Sequence, residues 1–293
     1  CKGDVTETMV DGRRCRCGAG EVMAQHTKGI FHFQGFAKIA LALTSVVSLL
    51  GFLWPLLISS TRSHPQWIFA GALPLALITL LANVSNKNLD TKSIALLAVL
   101  SAVIAALRPM GTGAVGIEPM WFVLILAARV FGPSFGFLLG AISMVLSALI
   151  TGGLGPWLAY QAFAAGWIGL ATALIPRNLR GKSEMAALAL YGVIAAEFFG
   201  IAMDLQFWPW ALGTDTQLSY VAGAPIAENL SRFVSYHFLS ALAWDIPRAI
   251  FTATIICIAG SSILHTLRRA HTKAAFLAPI EFKKLADMGR NKR

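Results

Sequence analysis

Long apolar runs broken by short polar stretches dominate the chain from residue 36 onward. Eight segments stand out: 36–59, 67–83, 93–107, 119–131, 134–150, 156–175, 186–206 and 246–267. A spanning helix needs about 20 apolar residues, fewer where part of it packs against protein. The pattern therefore predicts an all-α integral membrane protein with about eight transmembrane helices. The fourth and fifth segments are short, and merging them into one helix is the alternative. Arg129 and the Gly132-Pro133 pair argue against the merger, because both would fall near mid-membrane. Two separate helices place Arg129 in a tight turn at one surface.

Composition agrees with this pattern. Of 293 residues, 56% are hydrophobic and 13% charged, against roughly 25% charged in globular proteins; the mean hydropathy is +0.67. These values disfavour a disordered chain, a nucleic-acid binder and a typical cytosolic enzyme. The net charge of +10 is explained by where the basic residues fall. With the N-terminus inside, twenty of the 24 Lys and Arg lie on the inner side, and only Arg62, Arg108, Arg232 and Arg248 lie outside or at the outer edge. That is the positive-inside pattern, and it predicts a multi-pass cell-membrane protein with both termini cytoplasmic. The basic stretch from Arg268 onward is then a topology signal near anionic lipid, and no nucleic-acid partner is expected. Merging segments four and five would move this tail outside.

The polar residues 1–22 are read as a tail or an over-extended start, with Met23 as the natural beginning; a lipidated Cys1 is the other reading. Cys1, Cys15 and Cys17 are too few for a zinc site, and Cys257 lies in an apolar run. No metal site and no cofactor is expected.

Under this topology the unusual residues gather on the outer side. The loop from Arg108 to Pro119 is Gly-rich and carries both charge signs. It either lines a substrate pocket or is a tight connector closed by an Arg108–Glu118 pair. The run Thr151-Gly152-Gly153-Leu154-Gly155-Pro156-Trp157 opens a helix on which Trp157 and Gln161 share a face at i, i+4. Trp157 and Tyr160 are read as interfacial anchors or as pocket residues. Gln161 is either glue between helices or a ligand contact. Glu197, Gly200 and Asp204 fall near one face of the seventh segment, with Asp204 close to the outer edge. An intramembrane carboxylate faces a cavity or a partner by default, so Glu197 is either functional or paired with a group such as Gln161. The segment from Gln206 to Trp244 holds Trp208, Asn229, Arg232, Tyr236 and His237, and residues 226–243 look amphipathic. Asp245 with Pro247 reads as the N-cap and first turn of the last span, and Arg248 either pairs with Asp245 or reaches a ligand. Ala98, Ala102 and Ala106 recur every four residues on the third segment, a spacing that lets helices approach closely, whether inside the bundle or against a partner. No nucleotide-binding loop or hydrolase motif occurs, so any uptake must draw its energy from an ion gradient or a partner.

Four stretches carry a family resemblance: Arg108-Pro109-Met110-Gly111 through Glu118-Pro119, Arg129-Val130-Phe131-Gly132-Pro133, Thr151 through Trp157, and Gly166-Trp167-Ile168-Gly169. Together they resemble the substrate-specific (S) components of energy-coupling factor (ECF) vitamin transporters, nearest a cobalamin-type, actinobacterial-like group. The likeness covers about residues 93–268. It implies a six-helix core over 93–268; the polar tail (1–35), the extra transmembrane helix pair (36–92), which departs from the family pattern, and the basic tail (269–293) lie outside that core. It implies a substrate pocket near the outer face, closed by the loop 108–118. It also implies docking of the Ala98, Ala102, Ala106 face on a membrane-embedded coupling subunit that pairs with two ATPases. The expected function is capture of a vitamin-like micronutrient, cobalamin first, without enzymatic activity. The pocket is expected to draw on Arg108, Glu118, Trp157, Gln161, Asp204, Trp208, Asn229, Asp245 and Arg248. The rivals are a proton-coupled secondary transporter using Glu197 and a membrane-embedded enzyme using Glu197 or Asp204 as acid/base.

Overall fold

A computed structural model describes residues 35–57, 91–111, 116–212 and 216–273. All secondary structure among these residues is helical. In chain order the helices are α1 (Phe36–Leu57), α2 (Thr91–Leu107), α3 (Met120–Phe131), α4 (Pro133–Thr151), α5 (Trp157–Ala171), α6 (Gly181–Ala211), α7 (Ile226–Tyr236) and α8 (Leu242–Lys273). Single 3-10 turns follow α2 and α5, and a π turn (His237–Ala241) joins α7 to α8. The apolar segment at 67–83, the polar N-terminal tail and the basic tail beyond 273 lie outside the described residues.

Five helical stretches are long and apolar enough to cross a membrane: Lys38–Leu57, Thr91–Gly111, Pro133–Thr151, Gly181–Ala211 and Ile226–Thr272. Met120–Phe131 is apolar but shorter. Outward-facing Val99, Leu190, Ile194, Ile250 and Ile258 are all exposed, as a surface solvated by lipid requires. The short fourth and fifth segments are two helices. Gly132, at φ 101°, holds the break, and Pro133 starts α4 where its missing N–H is not needed.

The end of the chain departs from the expected boundary. Helical structure runs without a break from Ile226 through the π turn into α8, where the sequence predicts a cap at Asp245. Asp245 is therefore inside a helix, with no free N-terminal amides to cap. The amphipathic stretch predicted at 226–243 supplies α7, whose Phe233 and Tyr236 pack with Leu205 and Trp208 of α6.

The core rests on α4, which packs along α5 and also against α2 and α3, and on α6, which packs along α8. The α4–α5 seam is backbone against backbone. A Cβ built on Gly140 would stand 2.4 Å from the Ala165 carbonyl oxygen, and one on Gly169 would stand 2.1 Å from that of Gly136. Gly136 and Gly140 form the small-xxx-small pattern through which helices meet in lipid, where van der Waals contact replaces the hydrophobic effect. At the α3–α4 end, Glu184 is 1% exposed and accepts hydrogen bonds from Arg129 Nε (2.9 Å) and Arg268 Nη2 (2.6 Å). Arg129 also donates to the carbonyls of Ile175 (3.0 Å) and Pro176 (2.9 Å). This one cluster ties α3, α6, α8 and the exit of α5 together.

Replacing Gly140 or Gly169 by Ala forces the α4–α5 seam apart. Each variant is expected to lose about 1–3 kcal/mol of stability, read as a lower melting temperature in detergent. Unchanged melting in both would show that the seam opens without cost.

Candidate functional site

At the end of the bundle opposite Glu184, two cavities of about 270 Å³ each lie side by side and share Arg108 and Glu118. The inner one is also lined by Gln161 of α5, Phe199, Gly200, Met203 and Asp204 of α6, and Trp244, Asp245 and Arg248 of α8. The outer one is lined by Ser147, Thr151, Gly153 and Trp157 from α4, α5 and their connection.

Arg108 enters from the turn that follows α2. Its guanidinium donates to Gln161 Oε1 at 2.9 Å and reaches Ser147 Oγ at 3.5 Å. Glu118 closes the same loop. Its carboxylate accepts from Trp121 Nε1 at 2.5 Å and from Arg248 Nη2 at 3.1 Å. The Arg108–Glu118 pair expected of a tight connector is thus replaced by two separate pairings, each reaching across to another helix. Gly116 (φ 68°) allows the loop to lie on α8: a Cβ there would stand 2.3 Å from the Trp244 carbonyl oxygen.

Arg248 is the central charge. It donates to both Asp245 and Glu118, and its guanidinium lies over the Phe199 ring at 5.5 Å. Its side chain is 8% exposed and that of Asp245 is 3% exposed. Asp245 lies flat against α6 because residue 200 is a glycine; a Cβ there would overlap the carboxylate. Asp204 hydrogen-bonds to Nδ1 of His237 at 2.7 Å. Trp121 packs on Phe199 with ring centroids 4.5 Å apart and planes tilted by 57°.

Of the residues expected in a pocket, Arg108, Glu118, Gln161, Asp204, Asp245 and Arg248 therefore meet at one cavity, and Trp157 borders the adjoining one. Trp208 and Asn229 lie elsewhere. Trp208 is fully buried in the α6–α7 cluster and donates to the Leu218 carbonyl at 2.7 Å. The Asn229 amide spends both its ends on the backbone of Val221, at 2.8 and 3.1 Å. No hydrogen bond joins Gln161 to Glu197 among the described residues; Gln161 Oε1 accepts from Arg108. Phe199, Met203 and Trp244 were not singled out in the sequence. Their signal was spacing: Phe199 and Met203 run parallel to Gly200 and Asp204 at i, i+4, and Trp244 stands at i, i+4 from Arg248.

The cavity thus offers two guanidinium groups, three carboxylates, one amide and two aromatic faces, a set that binds a polar ligand with a flat ring by hydrogen bonds and stacking. Arg248 cannot be removed without isolating Glu118 and Asp245. Arg248→Met is expected to cost about 3–5 kcal/mol, the effect of breaking a buried ion pair from one side, and thermal unfolding measures it. Wild-type stability in this variant would show that the carboxylates find other partners.

Residues 88–269 match the family described as ECF-type riboflavin transporter, S component. No curated protein and no solved structure matches the chain.

Proposed function

This chain belongs to the family of S components of ECF-type riboflavin transporters, the match spanning more than half its length, and on that premise we propose that it captures a flavin-class vitamin in the cavity built around Arg108 and Arg248. An S component is the substrate-binding membrane subunit of an ECF importer. It works with a coupling subunit and ATPases, which agrees with the lack of a nucleotide-binding loop in this sequence.

The observation that carries the ligand class is the lining of the two joined cavities. A flavin has a flat tricycle, an imide-like edge with alternating acceptors and donor, and a polyhydroxyl chain. Phe199 and Trp244 suit the ring. Arg108 with Gln161 suits the edge, one group donating and the other able to do both. Asp204 suits a hydroxyl as an acceptor. The two joined lobes, about 270 Å³ each, together suit a drug-sized ligand. Riboflavin therefore replaces cobalamin as the first ligand to try.

We place the Glu184 end, with Arg129, Arg177, Arg180 and Arg268, on the cytoplasmic side, and the cavity on the outer side, following the distribution of basic residues. Ala98, Ala102 and Ala106 all point outward from α2, while Leu97, Ser101, Ile104 and Ala105 face the core. That free small-residue face is our docking surface for the coupling subunit. The extra N-terminal pair starts with α1, which packs on α5 and α6, through Phe52 against Tyr160 and a 3.0 Å hydrogen bond from Trp167 to Ser45. In this scheme α1 covers that side of the bundle.

Titrating the purified full chain with riboflavin is expected to quench flavin fluorescence saturably, at one ligand per chain. Arg108→Ala and Gln161→Ala should each weaken binding tenfold or more. Cyanocobalamin binding without riboflavin binding would overturn the ligand class. Ala102→Leu is expected to abolish uptake by the assembled importer and leave flavin binding intact; loss of both would contradict the docking face.

A further inference from the structure

One cluster beside the cavity is not explained by vitamin capture. Glu197 of α6, His237 of the π turn and Asp245 of α8 each bring one donor atom to within 4.8 Å of the others. Only Asp245 of these three lines the cavity.

We propose that Glu197, His237 and Asp245 bind one divalent first-row transition-metal ion immediately behind the substrate cavity. Three observations besides proximity carry it. The first is an orphaned oxygen on one of the three residues. Asp245 is 2% exposed, and its Oδ2 has no hydrogen-bond partner among the described residues. This oxygen points at Gly200, one helical turn from Glu197 on the same helix. A buried acceptor left without a partner is rare and costly, and a cation satisfies it.

The second is the support of the histidine. Asp204 holds Nδ1 of His237 at 2.7 Å. Metal-binding imidazoles almost always give their other ring N–H to a carboxylate or carbonyl, which fixes the tautomer and orients the ring. With Nδ1 engaged, Nε2 is the nitrogen that carries the free lone pair.

The third is charge. Asp245 faces Asp204 and Glu197 as like charges and Arg248 as the opposing one, and Arg248 is shared with Glu118. Three clustered carboxylates and a shared guanidinium leave a negative excess in a low-dielectric region, where uncompensated charge is expensive. Glu197 itself has no hydrogen-bond or ion-pair partner among the described residues. A divalent ion neutralises the excess directly.

The donor set selects the class of metal. One imidazole nitrogen with two carboxylates suits Mn²⁺, Fe²⁺, Co²⁺ or Zn²⁺. Calcium and magnesium favour all-oxygen cages, and cuprous copper favours sulfur. The three ligands come from segments 40 and 8 residues apart, so no short metal motif marks them in the sequence.

The test uses the untagged full chain in lipid nanodiscs, stripped with chelator and free of vitamin, so its outcome does not depend on the flavin reading. Co²⁺ is titrated and followed by its visible absorption, with Zn²⁺ as competitor. The expected result is one equivalent bound and displaced by zinc. Glu197→Gln and His237→Gln should each weaken Co²⁺ binding tenfold or more. Asp204→Asn, which loses the orienting carboxylate, should weaken it about tenfold to a hundredfold. Circular dichroism checks that each variant is folded. Should a variant not fold, pulsed electron paramagnetic resonance of the Mn²⁺-loaded wild type reads coupling to one imidazole nitrogen. Failure of the wild type to take up metal, affinity unchanged in folded Glu197 and His237 variants, or no nitrogen coupling would each overturn the site.

Discussion

A guanidinium taken out of water needs acceptors on every side, and Arg248 finds two carboxylates, Asp245 on its own helix and Glu118 across the bundle. That requirement organises the cavity end of the protein. It draws the loop after α2 down onto α8, with Gly116 permitting the close approach. It fixes Asp245 against α6, with Gly200 making room. Glu118 then also receives the Trp121 indole, so α3 is registered to the same charge. The cavity is the space left between these obligations and the second guanidinium, Arg108, which is turned the other way onto Gln161.

The opposite end solves the same problem with the signs reversed. There the central charge is a buried carboxylate, Glu184, and the arginines come to it from α3 and α8. Helix α8 thus enters both clusters, supplying Arg248 and Asp245 at one end and Arg268 at the other. Helix α6 does likewise through Asp204 and Glu184. These two long helices fix the distance between the ends, while α4 and α5 supply the tightly packed body beside them.

Much of this was legible in the sequence, and the rest was hidden for identifiable reasons. Apolar run length marked α1 to α6 and α8, the run at 67–83 lying outside the described residues, and the Gly132-Pro133 pair marked the break between α3 and α4. Polar residues stranded in apolar surroundings pointed to Arg108, Glu118, Gln161, Asp204, Asp245 and Arg248, because such groups must face something other than lipid. The same logic misplaced Asn229 and Trp208. Their partners are main-chain carbonyls and amides of a nearby turn, and a backbone group leaves no mark in a sequence. Asp245 was misread as a cap because Asp-x-Pro is locally a good helix start; the π turn that carries α7 into α8 is a tertiary outcome. Glu184 was missed because a glutamate in a first helical turn is ordinary, and its two arginines stand 55 and 84 positions away.

The α4–α5 seam also limits how this protein can diverge. Where backbone carbonyls face Gly136, Gly140 and Gly169, the seam has no side chain to exchange and no gap to fill, so those positions are held by shape. Differences in the cavity must therefore be written on α6, on the start of α8, in the loop after α2 and at the cavity-facing ends of α4 and α5, where side chains rather than main chain form the wall. Relatives that bind different vitamins are expected to share the glycines of α4 and α5 and to differ at positions such as Phe199, Met203 and Trp244.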